Sequence, residues 1–244
     1  MIKLEKTDVY GWEAAIRGMR NPMNSWKKSD SFMCKESDKK CVFGCRFSDD
    51  LSTCPVYDNN DYFVIGRNDF KLMMSLAKAG PDHRKFMRFI TVTVDITAPL
   101  YWWKEFDTYK VGTVANSCST MHKIAEKEFT PDDFSHEHLI SDEPVPYSAI
   151  SPKQFLMDLI KTLNGCREMY LKTKDKKWWW QMIQLLPTSY NQKRTVHLNY
   201  EVLKNIYFAR KSHKLDEWHD FCHWIEKLPY SELITGEVEL AEQT

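Results

Sequence analysis

Three observations predict an α+β fold, a mixed sheet followed by a helical C-terminal part. Residues 89–96 (FITVTVDI) alternate apolar and polar side chains and are rich in β-branched types, the pattern of a half-buried strand. Residues 69–80 carry apolar side chains at helical spacing and run into Gly80-Pro81. From Ser151 onward the pattern is dominantly helical, so strand and helix mix early and helices crowd late.

Taken in order, residues 1–20 mix short apolar patches with charge and predict one strand and a short helix. Residues 21–62 are rich in Asn, Ser, Asp, Lys and Cys without periodicity. They read as an irregular insertion within a single domain spanning 1–244. Asp69 is placed to cap the next helix, with Leu72, Met73, Leu76 and Ala77 on one face. Ala98-Pro99 stops the 89–96 strand, and Pro99 suits the first turn of an aromatic helix over 100–109. There Trp102 and Trp103 read as one core residue and one interface residue, or as rings stacking on a flat ligand. Residues 111–122 (VGTVANSCSTMH) are small and hydroxyl-rich, a loop that either approaches a ligand or lies on the surface. The acidic, Pro-containing 131–146 stretch is a connection, and its His136-Glu137-His138 reads as solvated. Ser151-Pro152 is an N-cap with Pro at the first helical position, and helices are expected over 152–172, 175–186, 200–211 and 215–227.

Charge bounds the partners. Lys plus Arg is 34 and Asp plus Glu is 34, so no net field draws the chain to a phosphate backbone, and bulk nucleic-acid binding is disfavoured. No apolar run approaches the roughly 18 residues of a membrane span, and the N-terminus lacks the basic-then-apolar layout of a secretory signal. Seven Cys without an export signal predict reduced thiols and a cytoplasmic protein. Four of them, Cys34, Cys41, Cys45 and Cys54, are separated by six, three and eight residues. Four thiolates suit a closed structural site for zinc or an iron–sulfur cluster, although no C-x-x-C knuckle is present; packed or unbonded thiols are the other reading.

Residues 83–122 (HRKFMRFITVTVDITAPLYWWKEFDTYKVGTVANSCSTMH) resemble the core of the flavin-dependent thymidylate synthases. There a His opens a turn before a strand, Ala-Pro and an aromatic helix follow, and the signature Arg-His-Arg-x-x-Ser comes next. His83 and Ala98-Pro99 match. The signature falls on Thr108, Tyr109, Lys110 and Thr113, so one basic residue and one hydroxyl survive. The Glu, Ser and Arg that hold deoxyuridylate in the family fall on Asn116, Cys118 and Thr120. Leu185-Leu186-Pro187, Lys193, Asn199, Asn205 and Arg210 also match by spacing, and the likeness runs from about Val64 to Leu228.

The resemblance implies a fold like that of the flavin-dependent thymidylate synthases, FAD as cofactor, a nucleotide and a folate as small-molecule partners, and a homotetramer with sites between subunits. It implies flavin contacts from His83, Lys110, Thr113, Asn199 and Asn205, and substrate contacts from Lys104, Asn116, Cys118, Lys193 and Arg210. The residues alone allow an anion site, since Lys104, Lys110, Lys193, Arg194 and Arg210 could all serve a phosphate. A Lys, however, is a point charge and does not reproduce the guanidinium fork. For His83 the bland alternative is a helix-terminal histidine, for Asn199 and Asn205 surface amides, and for Cys118 a small buried thiol. The expected activity is flavin-dependent methylation of deoxyuridylate, or a variant nucleotide one-carbon transfer. The alternatives are a non-catalytic nucleotide- or flavin-binding protein on the same fold and a metal-stapled interaction protein.

Overall fold

The computed structural model describes residues 2–34 and 62–236. Its centre is a four-stranded antiparallel sheet in the order β1-β4-β6-β5. These strands are β1 (Lys3–Tyr10), β4 (Thr91–Pro99), β6 (Asn191–Asn199) and β5 (Val114–Ser117). A two-stranded ribbon pairs β2 (Phe32–Cys34) with β3 (Tyr62–Val64). The helices are α1 (Trp12–Arg20), α2 (Arg67–Lys78), α3 (Leu100–Phe106), α4 (Thr120–Lys123), α5 (Pro152–Thr173), α6 (Lys176–Leu185), α7 (Tyr200–Arg210), α8 (Asp216–Glu226) and α9 (Glu232–Thr235). The expected α+β class is what the chain adopts.

The alternation read in the sequence sets the sheet's two faces. Val92, Val94, Ile96 and Ala98 of β4 are fully buried, with Val196 and Leu198 of β6 beside them. They meet Trp102, Trp103, Phe106, Leu203, Ile206, Trp218 and Phe221 in one core. The opposite face carries Thr93, Asp95 and Thr97 across from His197, Thr195 and Lys193. A second apolar cluster joins α5 and α6 to Phe129 and Phe134 through Leu156, Ile160, Leu163 and Met182.

Several local expectations change. The β4 strand starts two residues later than the alternation suggested, because Phe89 closes the 3-10 turn Arg84–Arg88 and is exposed. Pro99 stays in the strand and becomes the N-cap of α3 rather than its first helical residue. Trp102 and Trp103 are both buried, so neither stands at an interface or faces a flat ligand. The Trp103 indole donates to the Gln192 carbonyl at 2.9 Å, and Arg194 lies 4.1 Å over its ring. Residues 111–122 are not all loop, since Val114–Ser117 forms an edge strand.

Asp69 does not cap α2. It is fully buried and accepts the Arg20 guanidinium at 2.6 Å, the Ser29 and Ser31 hydroxyls at 2.6 Å each, and the Asp30 and Ser31 amides at 3.1 Å each. The free amides of α2 are taken instead by Asp30, whose carboxylate accepts from Asn68 N at 2.9 Å and Asp69 N at 3.0 Å. This close approach needs Gly66, where an added Cβ would sit 2.2 Å from the Asp30 carboxyl carbon.

Candidate functional site

The residues singled out above fall into three groups around α3 and α7. The first lies where β6 turns into α7. Asn199 caps α7, its side-chain oxygen accepting from Val202 N at 3.0 Å. The loop after α3 crosses this point: a Cβ on Gly112 (φ 78°) would lie 3.0 Å from the Asn199 side-chain nitrogen. Next to it, Thr113 has a buried hydroxyl without a hydrogen-bond partner among the described residues. Lys110 is exposed, and no carboxylate among the described residues pairs with it. An orphan hydroxyl, an amide reduced to its N–H donors and an ammonium make a set that lacks an acceptor-rich partner.

The second group sits on the Arg84–Arg88 turn. Asn205 accepts from Arg84 Nη2 at 3.1 Å, so it too offers only N–H donors outward. Arg84 Nε lies 3.4 Å from Glu201 Oε1, and Arg88 Nε bonds the other oxygen of the same carboxylate. Burial alone would raise Glu201, but Arg88 and then Arg84 bring it below the ordinary carboxylate value. His83 is exposed at the start of this turn. With Lys85 and Phe86 it borders a cleft of about 1110 Å³ that also touches Met19, Leu72 and Leu76.

The third group surrounds the C-terminal end of α3. Arg210 donates to Glu105 Oε2 at 2.7 Å and to the Tyr109 hydroxyl at 2.9 Å, and lies 4.7 Å over the Trp218 ring. Trp218 shares the Glu105 oxygen at 2.9 Å. Arg194 donates to Asp107 at 2.7 Å and to Gln192 Oε1 at 3.0 Å. Lys193 pairs with Asp95 at 3.1 Å on the outer sheet face. Lys104, Asn116 and Cys118 are exposed, so the buried reading of Cys118 does not hold.

The structure therefore brings Lys110, Thr113 and Asn199 to one place, His83 and Asn205 to another turn, and Arg210 to a third. Arg84, Arg88, Glu201, Glu105 and Asp107 were missed by sequence reasoning. The i, i+4 spacing of Arg84 and Arg88 was visible, but their partner Glu201 lies far along the chain. Of the four-cysteine set, Cys34 lies on β2, and Cys41, Cys45 and Cys54 lie outside the described residues. Among the described residues no group of three or more His, Cys, Asp or Glu side chains is arranged to hold a metal.

This mixed helix-and-sheet fold matches those of solved flavin-dependent thymidylate synthases over nearly their whole length. The chain is similar to the flavin-dependent thymidylate synthase ThyX from Helicobacter pylori, solved with FAD and dUMP. The TM-score is 0.59 at 14% identity, with 95% of this chain and 96% of that one covered. It is also similar to the UMP/dUMP methylase PolB from Streptomyces cacaoi bound with 5-Br dUMP, with a TM-score of 0.54 at 13% identity over 97% and 95% of the two chains. At such identities the likeness is one of fold. No family model matches the chain, and no curated protein matches it in sequence.

Proposed function

We propose that this chain binds FAD and a pyrimidine nucleotide and transfers a one-carbon unit from a folate to the uracil ring, as a thymidylate synthase or a close variant of one. The observation that carries this reading is the fold, shared over nearly the whole length of both chains with proteins that bind FAD and dUMP or methylate UMP and dUMP. The site's chemistry fits the cofactor: Asn199 and Asn205 have spent their oxygens inside the protein, and among the described residues Thr113 has an unmet hydroxyl and Lys110 has no paired acid. Flavin edges and phosphates are rich in acceptors. The hydride chemistry belongs to the bound flavin. The chain's own residues bind and orient, with Lys110, Thr113, Asn199, Asn205 and His83 toward the flavin and Lys104, Asn116, Cys118, Lys193 and Arg210 toward the substrate. Because these groups do not converge within one chain, self-association as a homotetramer completes the site in this reading.

One observation favours a second reading, a non-catalytic flavin- or nucleotide-binding protein. Arg194, Arg210 and Lys193 are each matched by a carboxylate of the chain itself. The absorbance spectrum of the purified protein, before and after adding FAD and desalting, separates the two. A retained flavin band that bleaches with NADPH and shifts with deoxyuridylate supports the enzyme. A band that responds to neither supports the binder, and no retained flavin rejects the first reading.

A further inference from the structure

We propose that Arg84 and Arg88, with the Asn205 amide, form a binding subsite for the phosphate of a nucleotide-type ligand; the proposal rests on the flavin and nucleotide reading above. The argument is one of stoichiometry. At the end of α3 each guanidinium has its own carboxylate, Asp107 for Arg194 and Glu105 for Arg210. On the Arg84–Arg88 turn two guanidiniums share one carboxylate, Glu201. That leaves one full positive charge in the geometry best suited to a phosphate.

The details agree with an outward-facing site. Glu201 is buried and engages the Nε of each arginine, and Arg84 spends Nη2 on Asn205. The two terminal Nη groups of Arg88 and the Nη1 of Arg84 are engaged by no acceptor among the described residues. Arg88 is 56% exposed and Arg84 17%, so one arginine reaches solvent while the other is held in place. The Asn205 nitrogen adds a neutral donor beside them. Glu201 thus acts as a positioning residue. It fixes the two forks without cancelling both charges, which lowers the entropy lost when an anion docks.

Lys204 stands on the same helix as Glu201. After burial, the next influences holding its ammonium down are the charges of Arg84 and Lys78.

Two phosphates have the right chemistry, that of the flavin and that of the pyrimidine nucleotide. Affinities of FAD and riboflavin, and of dUMP and deoxyuridine, would be measured for the wild type, Arg88→Gln and Glu201→Gln. Arg84 stays on Glu201 in Arg88→Gln, so no buried carboxylate is stranded. Loss of one charge-assisted contact predicts about a tenfold weaker FAD affinity with riboflavin unchanged. If the phosphate is that of the nucleotide, the same loss appears for dUMP and not for deoxyuridine. Glu201→Gln keeps an acceptor for only one of the two arginines and releases the other fork, so it should weaken the same phosphate-bearing ligand and leave riboflavin and deoxyuridine unchanged. If Arg88→Gln changes neither phosphate-dependent ratio, the proposal is overturned. If the wild type binds no flavin and no dUMP, the proposed function fails instead. The subsite is then judged by titration with inorganic pyrophosphate: binding that Arg88→Gln abolishes sustains it, and no binding by the wild type rejects it.

Discussion

Two clusters of arginine and carboxylate in this molecule use the same side chains to opposite ends. At Arg20 and Asp69 every polar atom is accounted for. The guanidinium also donates to the Ser25 and Lys28 carbonyls, and Asp69 accepts from two hydroxyls and two amides. At Arg84, Arg88 and Glu201 the carboxylate is buried but the arginines outnumber it. The first arrangement ties the chain before β2 to α1 and α2. The second holds donors in reserve. Burial and the count of partners, rather than the presence of an ion pair, distinguish a structural knot from a binding surface.

The largest effect should come from the knot. Asp69→Asn leaves Arg20 buried with a neutral partner and turns one acceptor into a donor facing donors. Breaking a buried pair of this kind costs about 3–5 kcal/mol, read as a lower midpoint in denaturant unfolding. Burial alone would raise Asp69, but bonds from Ser29, Ser31 and Arg20 hold it below its usual value. Its folded pKa is depressed, so its contribution is full above the unfolded value of 3.8 and is lost as pH falls through the folded one. An Asp69→Asn variant that unfolds with the wild-type midpoint would erase the contrast between the two clusters.

Lys204 is a buried cation on the helix that carries Glu201. It bonds the Leu233 and Ile234 carbonyls at 3.0 and 2.9 Å and is pushed down to about 8, first by burial and then by Arg84 and Lys78. The folded state therefore holds fewer protons than the unfolded state between about 8 and 10.5, and this residue's contribution to stability rises with pH through that window. The stability difference between wild type and Lys204→Met should grow by roughly 3 kcal/mol from pH 7.5 to pH 10.5. A flat difference would show that burial does not hold the Lys204 ammonium down.

Glu105 lies between the two extremes. It is half-buried and serves Arg210 and Trp218 together. Glu105→Gln keeps an acceptor for both, so a loss of about 1–2 kcal/mol is expected, clearly smaller than for Asp69→Asn. Equal losses would make the end of α3 a second sealed knot, with Arg210 out of reach of any ligand.

What the sequence displayed follows from which forces are local. The β4 strand, the Ser151-Pro152 start of α5 and the helices α7 and α8 were legible because apolar spacing and capping act within a few residues. The β6 strand was not, although it pairs with both β4 and β5, because only Val196 and Leu198 mark its buried side in a run of polar residues. Asp69 misled for a similar reason. An Asp at the start of an apolar helix is a local capping signal, and its actual partner Arg20 lies 49 residues away. The candidate site residues were chosen by resemblance in spacing. Spacing carries no information about Glu105, Asp107 or Glu201, which decide how much charge the neighbouring arginines have left.

The smallest effect concerns Asn199, where the two roles of a cluster meet in one side chain. Its oxygen caps α7 and its nitrogen faces Gly112. Asn199→Ala removes both and should cost about 1 kcal/mol, the usual value of an N-cap. Asn199→Asp keeps the capping oxygen and adds a charge that the helix N-terminus favours, so its stability should match the wild type. The same substitution replaces an outward donor with an acceptor. If Asn199 serves only the helix, Asn199→Asp retains FAD as well as the wild type does. If its N–H groups serve the flavin, Asn199→Asp is as stable as the wild type but elutes from a desalting column without the flavin band. That split between stability and cofactor retention assigns the residue to the scaffold or to the site.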